Sequence, residues 1–415
     1  MKKILALLLV VVMVAALFVG CTESNTTTTN KPAETKAGET KAPETKGSET
    51  EAPATEAPAT EAPATEAPAT EAPATEAPET NAPVNGGDMK VAFVTDVGNI
   101  DDHSFNQYTY EGVTRFGTAS GCEVTYYKPA EDTDQSREDA INQAINDGYK
   151  TIVMAGYLFG PACNACAIAH PDVNFLALDV SEGDLKADTI PENVSLIVYK
   201  EEQCGYLAGY AAVIDGYEKL GFLGGMSVPA VVRYGQGFVQ GANAAAEKLG
   251  KTVEIKYWYS GTFGPTDEIA SKMDTWYVEG TQVVFACGGG IYLSCLSAAE
   301  SNNGLMIGVD VDQSNESELI ITSAMKALSN SVLLALTECS NNGWTWPAAY
   351  AGKCQSLGAE SDCVGLPMET SKFNTFTKDN YDELFKGIVD GTIVIDNNSD
   401  PDKHPETPNV TVDWQ

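Results

Sequence analysis

Basic side chains are scarce in this chain. Lys and Arg number 25 against 58 Asp and Glu, a formal charge of -33 at pH 7. So acidic a surface has no basic face to neutralise phosphates, which argues against nucleic acid as a partner. It reads instead as a solvated exterior. Histidine is scarcer still: His103, His170 and His404 lie far apart, which argues against a His-rich metal site. There is no Gly-x-Ser-x-Gly elbow, no His-Glu-x-x-His pair and no Cys–His spacing of a nucleophilic site. Gly288-Gly289-Gly290 lacks both the GxGxxG spacing and a P-loop lysine, so it is not a phosphate cradle. The adjacent acids Asp101 and Asp102 carry little weight in so acidic a chain. No catalytic set emerges, and no cofactor or metal is implied. An enzyme is therefore not expected.

Long apolar runs are absent too, with one exception. Lys2 and Lys3 precede a continuous apolar stretch over residues 4–19, followed by Gly20 and Cys21. Residues 1–20 read as a signal segment. A small residue followed by cysteine resembles the lipobox of bacterial lipoproteins, with Cys21 as the lipidated N-terminus of the mature chain. A plain transmembrane anchor or an ordinary signal peptide is the alternative. Export places the folded part on the extracytoplasmic face of a bacterial cell membrane. Of the 10 cysteines, those after Cys21 are odd in number, so at least one is unpaired in a monomer. Cys163-Asn164-Ala165-Cys166 has no second CxxC to complete a zinc site. Buried structural thiols are expected, with disulfides open and unassignable.

Residues 22–88 contain no large apolar side chain before Val84 and settle into Thr-Glu-Ala-Pro-Ala repeats. Such a segment cannot bury enough surface to offset the entropy of ordering it. Its regular prolines stiffen it toward polyproline II, so it reaches on the order of 200 Å at full extension. Residues 21–88 thus read as a lipidated cysteine with a disordered tether.

From Met89 the pattern changes to strands alternating with helices, which implies parallel sheet covered on both faces. Strands are expected at 90–95, 123–128, 151–155, 173–179 and 193–199, with helices at 106–120, 136–146 and 161–169 between them. The pattern then restarts. Helices are expected at 201–214, 237–249 and 268–277, and strands at 220–223, 252–259, 282–286 and 305–309. Residues 319–322, 324–338 and 381–395 supply further strand and helix material. This is too much for one sheet, so two α/β lobes are expected: 89–198 as the first and 199–310 as the second. Residues 311–345 are expected to return to the first lobe, and 346–415 to the second lobe and a C-terminal tail.

In open parallel sheets, ligands bind at the C-terminal ends of the strands. Asp96, Asp179 and Asp310 sit at such ends, and the triple glycine follows another. Phe105 lies in the loop after the first strand, and Tyr234 follows Val231-Val232-Arg233. Carboxylates accept from hydroxyls and amines, aromatic faces stack on planar rings, and glycine admits close approach. The set fits a neutral, planar, hydroxyl-bearing ligand such as a nucleoside; an anion would be repelled. Each residue also has a plainer reading. A strand-end Asp caps a helix, Phe105 and Tyr234 serve as core, and Lys326, early in a helix, is a surface charge.

The stretch Asp96-Val97-Gly98-Asn99-Ile100-Asp101-Asp102-His103-Ser104-Phe105-Asn106-Gln107, with Tyr110-Glu111-Gly112-Val113 beyond it, resembles the opening motif of the basic membrane protein family. The likeness continues through His170-Pro171-Asp172-Val173-Asn174-Phe175, Leu220-Gly221-Phe222-Leu223-Gly224-Gly225, Arg233-Tyr234-Gly235-Gln236-Gly237-Phe238 and Ile307-Gly308-Val309-Asp310-Val311-Asp312-Gln313. These are lipoproteins similar to purine nucleoside receptors, the substrate-binding components of ABC transporters. The resemblance implies a type I periplasmic-binding fold, two doubly wound lobes joined by three crossovers, with an ABC permease and ATPase as partners. It implies that Phe105 and Tyr234 stack on the two faces of the base and that Asp96, Asn106 and Asp179 lie near it. Gly289, Asp310 and Lys326 would hold the ribose. Asn99 and His103 depart from the family's usual residues. A receptor for a sugar or another small metabolite, in transport or signalling, is the alternative. A nucleoside hydrolase lacks its catalytic set, and a purely structural surface protein would not need a cleft.

Overall fold

The computed structural model describes residues 86–96 and 98–415. The signal segment, Cys21, the repeats and Val97 lie outside the described residues.

The first sheet is built from β1 (Lys90–Val94), β2 (Glu123–Tyr127), β3 (Thr151–Ala155), β4 (Asn174–Leu178) and β5 (Val194–Tyr199), with α1 (Phe105–Ser120), α2 (Asp134–Asn146) and α3 (Gly160–Ala169) between strands. After α4 (Glu201–Ile214) the second sheet begins. It takes β6 (Lys219–Gly224), β7 (Val253–Tyr259), β8 (Val283–Cys287), β9 (Leu305–Asp310) and β10 (Ile320–Lys326), with α5 (Pro229–Leu249), α6 (Asp267–Val278) and α7 (Ile291–Asn302). The chain continues through α8 (Leu328–Asn341), β11 (Lys353–Leu357), β12 (Val364–Gly365), α9 (Lys378–Val389) and β13 (Val410–Trp414).

The strand orders are β11-β5-β4-β3-β1-β2 and β12-β10-β9-β8-β6-β7-β13. Every pairing is parallel except β10 with β12. The central strands β3, β4 and β8 are buried along their whole length, as expected for strands covered on both faces. Helix ends follow local chemistry: Thr133 and Thr266 cap α2 and α6 by accepting from Ser136 N and Ile269 N.

Most expected elements are present within a residue or two. The C-terminal third is distributed differently from the expectation. Residues 311–345 divide, because β10 pairs with β9 in the second sheet while α8 packs on α1. β11 then extends the first sheet beside β5, and β12 and β13 border the second. The chain therefore passes between the sheets after β5, after β10 and after β11. These passages are joined to one another: Lys200 N donates to Leu357 O and Ala327 N to Cys363 O, both at 2.9 Å.

The helices α4 and α5 cross closely. A Cβ on Gly205, Gly209, Gly237 or Gly241 would come within 2.2 Å of a backbone oxygen on the opposite helix. Small residues spaced by four on both helices permit this approach, and each supports the other's burial. All nine described cysteines after Cys21 are free thiols, and Cys354 and Cys363 alone among them are partly exposed.

Candidate ligand-binding cleft

Strand ends from both sheets converge on Lys326. Its Nζ lies 2.7 Å from Asp179 Oδ2, 3.1 Å from Glu201 Oε1 and 3.9 Å from Asp310 Oδ1. Asp179 follows β4 of the first sheet, whereas Asp310 ends β9 of the second. Both take left-handed backbone angles, with φ of 57° and 67°. Aspartate tolerates that region better than most side chains, and such conformations cluster at functional sites. Three rings surround the ammonium, with centroids at 5.1 Å for Phe105 and 5.3 Å for Tyr199 and Tyr234. Cation–π attraction adds to the ion pairs there.

Lys326 is the terminal residue of β10, not part of a helix, and is 5% exposed. Pairing with β9 and β12 overrides the helix-forming run that follows Ala324. Tyr234 lies inside α5, which starts eight residues before the expected helix, and its ring is buried. Its hydroxyl donates to Asp310 Oδ1 and Ala324 O, each at 3.3 Å. Phe105 opens α1 instead of lying in the preceding loop.

Electrostatics follow from this packing. Burial would depress Lys326, but Asp179, Glu201 and Asp310 hold its ammonium well above its ordinary value. Burial raises the Asp179 carboxyl, against the pull of Lys326. Burial likewise raises Asp310, opposed by Lys326 and Ser104. Burial would raise Glu201 too, yet Arg233 and Lys326 bring it below the usual range. Asp179 Oδ1 and Glu201 Oε1 are both buried without a hydrogen-bond partner, open acceptors in a crowded charged centre.

The other wall is the loop after β1. Asp96 Oδ1 accepts from Gly98 N at 2.6 Å and from Asn106 Nδ2 at 2.9 Å. Burial pushes its carboxyl up to about 6, against those hydrogen bonds. Asn106 also donates to Asp102 Oδ2, and its Oδ1 accepts from Thr95 Oγ1 and Asp96 N. All four hydrogen-bonding positions of the amide are engaged within the loop, so Asn106 shapes the wall and orients Asp96. A cavity of about 240 Å³ opens beside Asp96, lined by the 128–132 segment and Arg137. Lys128 Nζ donates to Asn99 Oδ1 at 2.6 Å, tying the two loops together.

The two walls are bridged. Ser104 Oγ donates to Asp310 Oδ2 at 2.6 Å, Gln313 Nε2 donates to His103 O at 3.0 Å, and His103 Nδ1 lies 2.9 Å from Glu316 Oε1. Gly289, with φ of 53°, lies after β8, and a Cβ there would stand 3.3 Å from Phe263 O. Thus Phe105, Asp179, Tyr234, Asp310 and Lys326 are brought together, Asp96 and Asn106 form the adjoining loop, and Gly289 lies beside Phe263.

Glu201, Tyr199, Ser104 and Phe263 were not singled out from sequence. A Glu heading a helix reads as a partner of the helix dipole, and a Tyr ending a strand reads as core. Ser104 lies within the Asp96–Gln107 stretch, where a polar side chain just before the helix is the available signal.

The chain is similar to proteins that are already known. Residues 89–399 match the family described as ABC transporter substrate-binding protein PnrA-like. The ABC transporter nucleoside-binding protein BmpA of Lactococcus lactis is 30% identical over 239 residues, covering 54% of this chain. The match spans 65% of that relative, just under two thirds of its length. An uncharacterized lipoprotein of Pyrococcus furiosus is 27% identical over 295 residues, covering 68% of this chain and 70% of its own. The crystal structure of an ABC transporter solute-binding protein from Aeropyrum pernix superposes with a TM-score of 0.66 at 21% identity, covering 76% of this chain and 95% of that one. That likeness shows the two-lobed periplasmic-binding fold. The family consists of binding proteins, not enzymes. The chain belongs to the Bmp family of PnrA-like ABC transporter substrate-binding proteins.

Proposed function

We propose that this protein captures a nucleoside, a purine nucleoside above others, between its lobes and presents it to an ABC permease and its ATPase. The observation that carries this reading is the convergence of Asp179, Asp310 and Lys326 within a ring of aromatic side chains. Carboxylates and an ammonium placed together bind the vicinal hydroxyls of a ribose, which both accept and donate. Phe105 supplies a face for a planar base. Asp96, oriented by Asn106, accepts from N–H groups on the base edge. The carboxylates outnumber the cations at this centre, which disfavours a phosphorylated ligand. The lactococcal relative's name as a nucleoside-binding protein agrees with this.

The ligand closes the lobes about the passages between the sheets, and the closed form docks on the permease. Cys21 carries a lipid that holds the protein at the extracytoplasmic face of the cell membrane, and residues 22–88 act as its tether. Gentle purification followed by mass spectrometry of the released small molecule tests the ligand class. A nucleoside is expected; a sugar or another metabolite replaces this reading with the alternative receptor. Replacing Cys21 with Ser should abolish incorporation of labelled fatty acid, and undiminished labelling removes the anchor.

A further inference from the structure

Glu201 is fully buried and is the first residue of α4, directly after the chain leaves the first sheet. Its Oε2 accepts a hydrogen bond from Arg233 Nε at 2.6 Å, whereas its Oε1 forms an ion pair with Lys326 Nζ at 3.1 Å without a hydrogen bond; the ammonium donates instead to Asp179 Oδ2. Lys326 in turn is the last residue of β10, directly before the chain returns to the first sheet through α8. The two residues therefore belong to neighbouring hinge passages. Asp179 and Asp310 stand at strand ends of separate sheets.

We infer that Glu201 is a positioning residue: its buried charge holds the Lys326 ammonium at the hinge by ion pairing, beside the hydrogen bond that the ammonium donates to Asp179. Arg233 fixes the Glu201 carboxylate from the other side, so the carboxylate cannot swing into the cleft. When the lobes part, Asp179 and Asp310 separate, while the Glu201–Lys326 pair stays with the hinge. A buried ion pair is weak evidence for stability, and its better-attested use is to specify one arrangement. A lysine without that anchor would follow one aspartate or the other and present a different face to each incoming ligand. This inference rests on the reading of Lys326 as a ligand contact.

The test uses the full folded chain and two readouts. The first is the NMR titration of the Lys326 side chain in protein labelled at lysine Cε, assigned with a Lys326→Arg variant. The groups facing that ammonium are Asp179, Glu201 and Asp310, with Tyr199, Tyr234, Cys204 and Cys287 nearby. In the wild type the signal should stay in its charged position to about pH 10, whereas Glu201→Gln should bring its titration below that of the wild type. The second readout is affinity for guanosine and adenosine between about pH 7 and 10. Glu201→Gln should weaken binding at least about tenfold and make the loss steeper as pH rises. Glu201→Asp keeps the charge but retracts it, so it should weaken binding less and retain the wild-type pH profile. An unchanged Lys326 titration in Glu201→Gln overturns the inference, as does unchanged affinity when the wild type binds. If the wild type binds neither nucleoside while the Lys326 titration shifts as expected, the nucleoside reading fails and the positioning of Lys326 stands.

Discussion

Lys326 Nζ, at the end of a strand in the second sheet, lies 2.7 Å from Asp179 Oδ2, which follows a strand of the first. One cation thus ties the strand ends of two separate sheets, with both side chains nearly excluded from water. Replacing Lys326 with Met leaves Arg233 beside Glu201 and the Ser104 and Tyr234 hydroxyls on Asp310, and takes from Asp179 the donor to its Oδ2. The expected loss of stability is about 3–5 kcal/mol near neutral pH. Without the lysine, the buried carboxyls rise further in the folded state. Their protonation then relieves the defect, so the gap from wild type should narrow as pH falls from 8 toward 5. Chemical denaturation across that range measures it; a gap independent of pH would show that the lysine's charge is immaterial.

Asp96 offers a second pH dependence. Its folded pKa is raised from 3.8 to about 6. The neutral carboxyl is therefore favoured by folding. The associated stability is fully present below 3.8 and is lost as pH rises through 6. Asp96→Asn should be more stable than wild type above that window, by up to ~3 kcal/mol, and lose its advantage below it. Binding should move the other way. If Asp96 accepts from the base, wild-type affinity rises as pH passes upward through 6, and the Asn variant's does not. Calorimetry at several pH values distinguishes the two.

The α4–α5 crossing makes a packing prediction. A Cβ on Gly209 would stand 2.1 Å from Phe238 O, a backbone atom that has no freedom to rotate away. Gly209→Ala should cost ~2–3 kcal/mol, because the helices must separate along their length. Urea denaturation measures the cost; an unchanged midpoint would show that the crossing relaxes freely.

Phe105 is only partly buried at the head of α1, so its removal should spare the fold. Phe105→Ala should weaken nucleoside binding by ~1–3 kcal/mol through lost stacking. Phe105→Tyr should retain most of the affinity. Equal affinities for Ala and Phe at this position would remove the stacking role.

The central strands were plain in the sequence because Thr151–Ala155 and Val283–Cys287 are short apolar runs bounded by polar turns. Parallel strands buried on both faces leave that signature. α5 was less plain. Its first turns contain Val231 and Val232, and β-branched residues read as strand, yet Pro229 suits a helix start and packing on α4 holds the rest helical. Lys326 reads as helical because its neighbours are good helix formers, and its pairing with Val364 of β12 decides otherwise. Asp96, Asp179 and Asp310 were visible as strand ends. Their relation was not, because bringing β4 and β9 together depends on passages that local pattern does not encode. Glu201 left no trace at all: its two partners are 32 and 125 residues away in sequence.

Nucleoside capture between the lobes is put to the test by calorimetric titration of the purified protein with guanosine, adenosine, cytidine and uridine. At least one purine nucleoside should bind with a dissociation constant in the range of about 1 μM or tighter. That binding should fall sharply in Phe105→Ala. Flat titrations across all of these nucleosides, from protein shown to be folded and free of retained ligand, would mean that the cleft is not a nucleoside site.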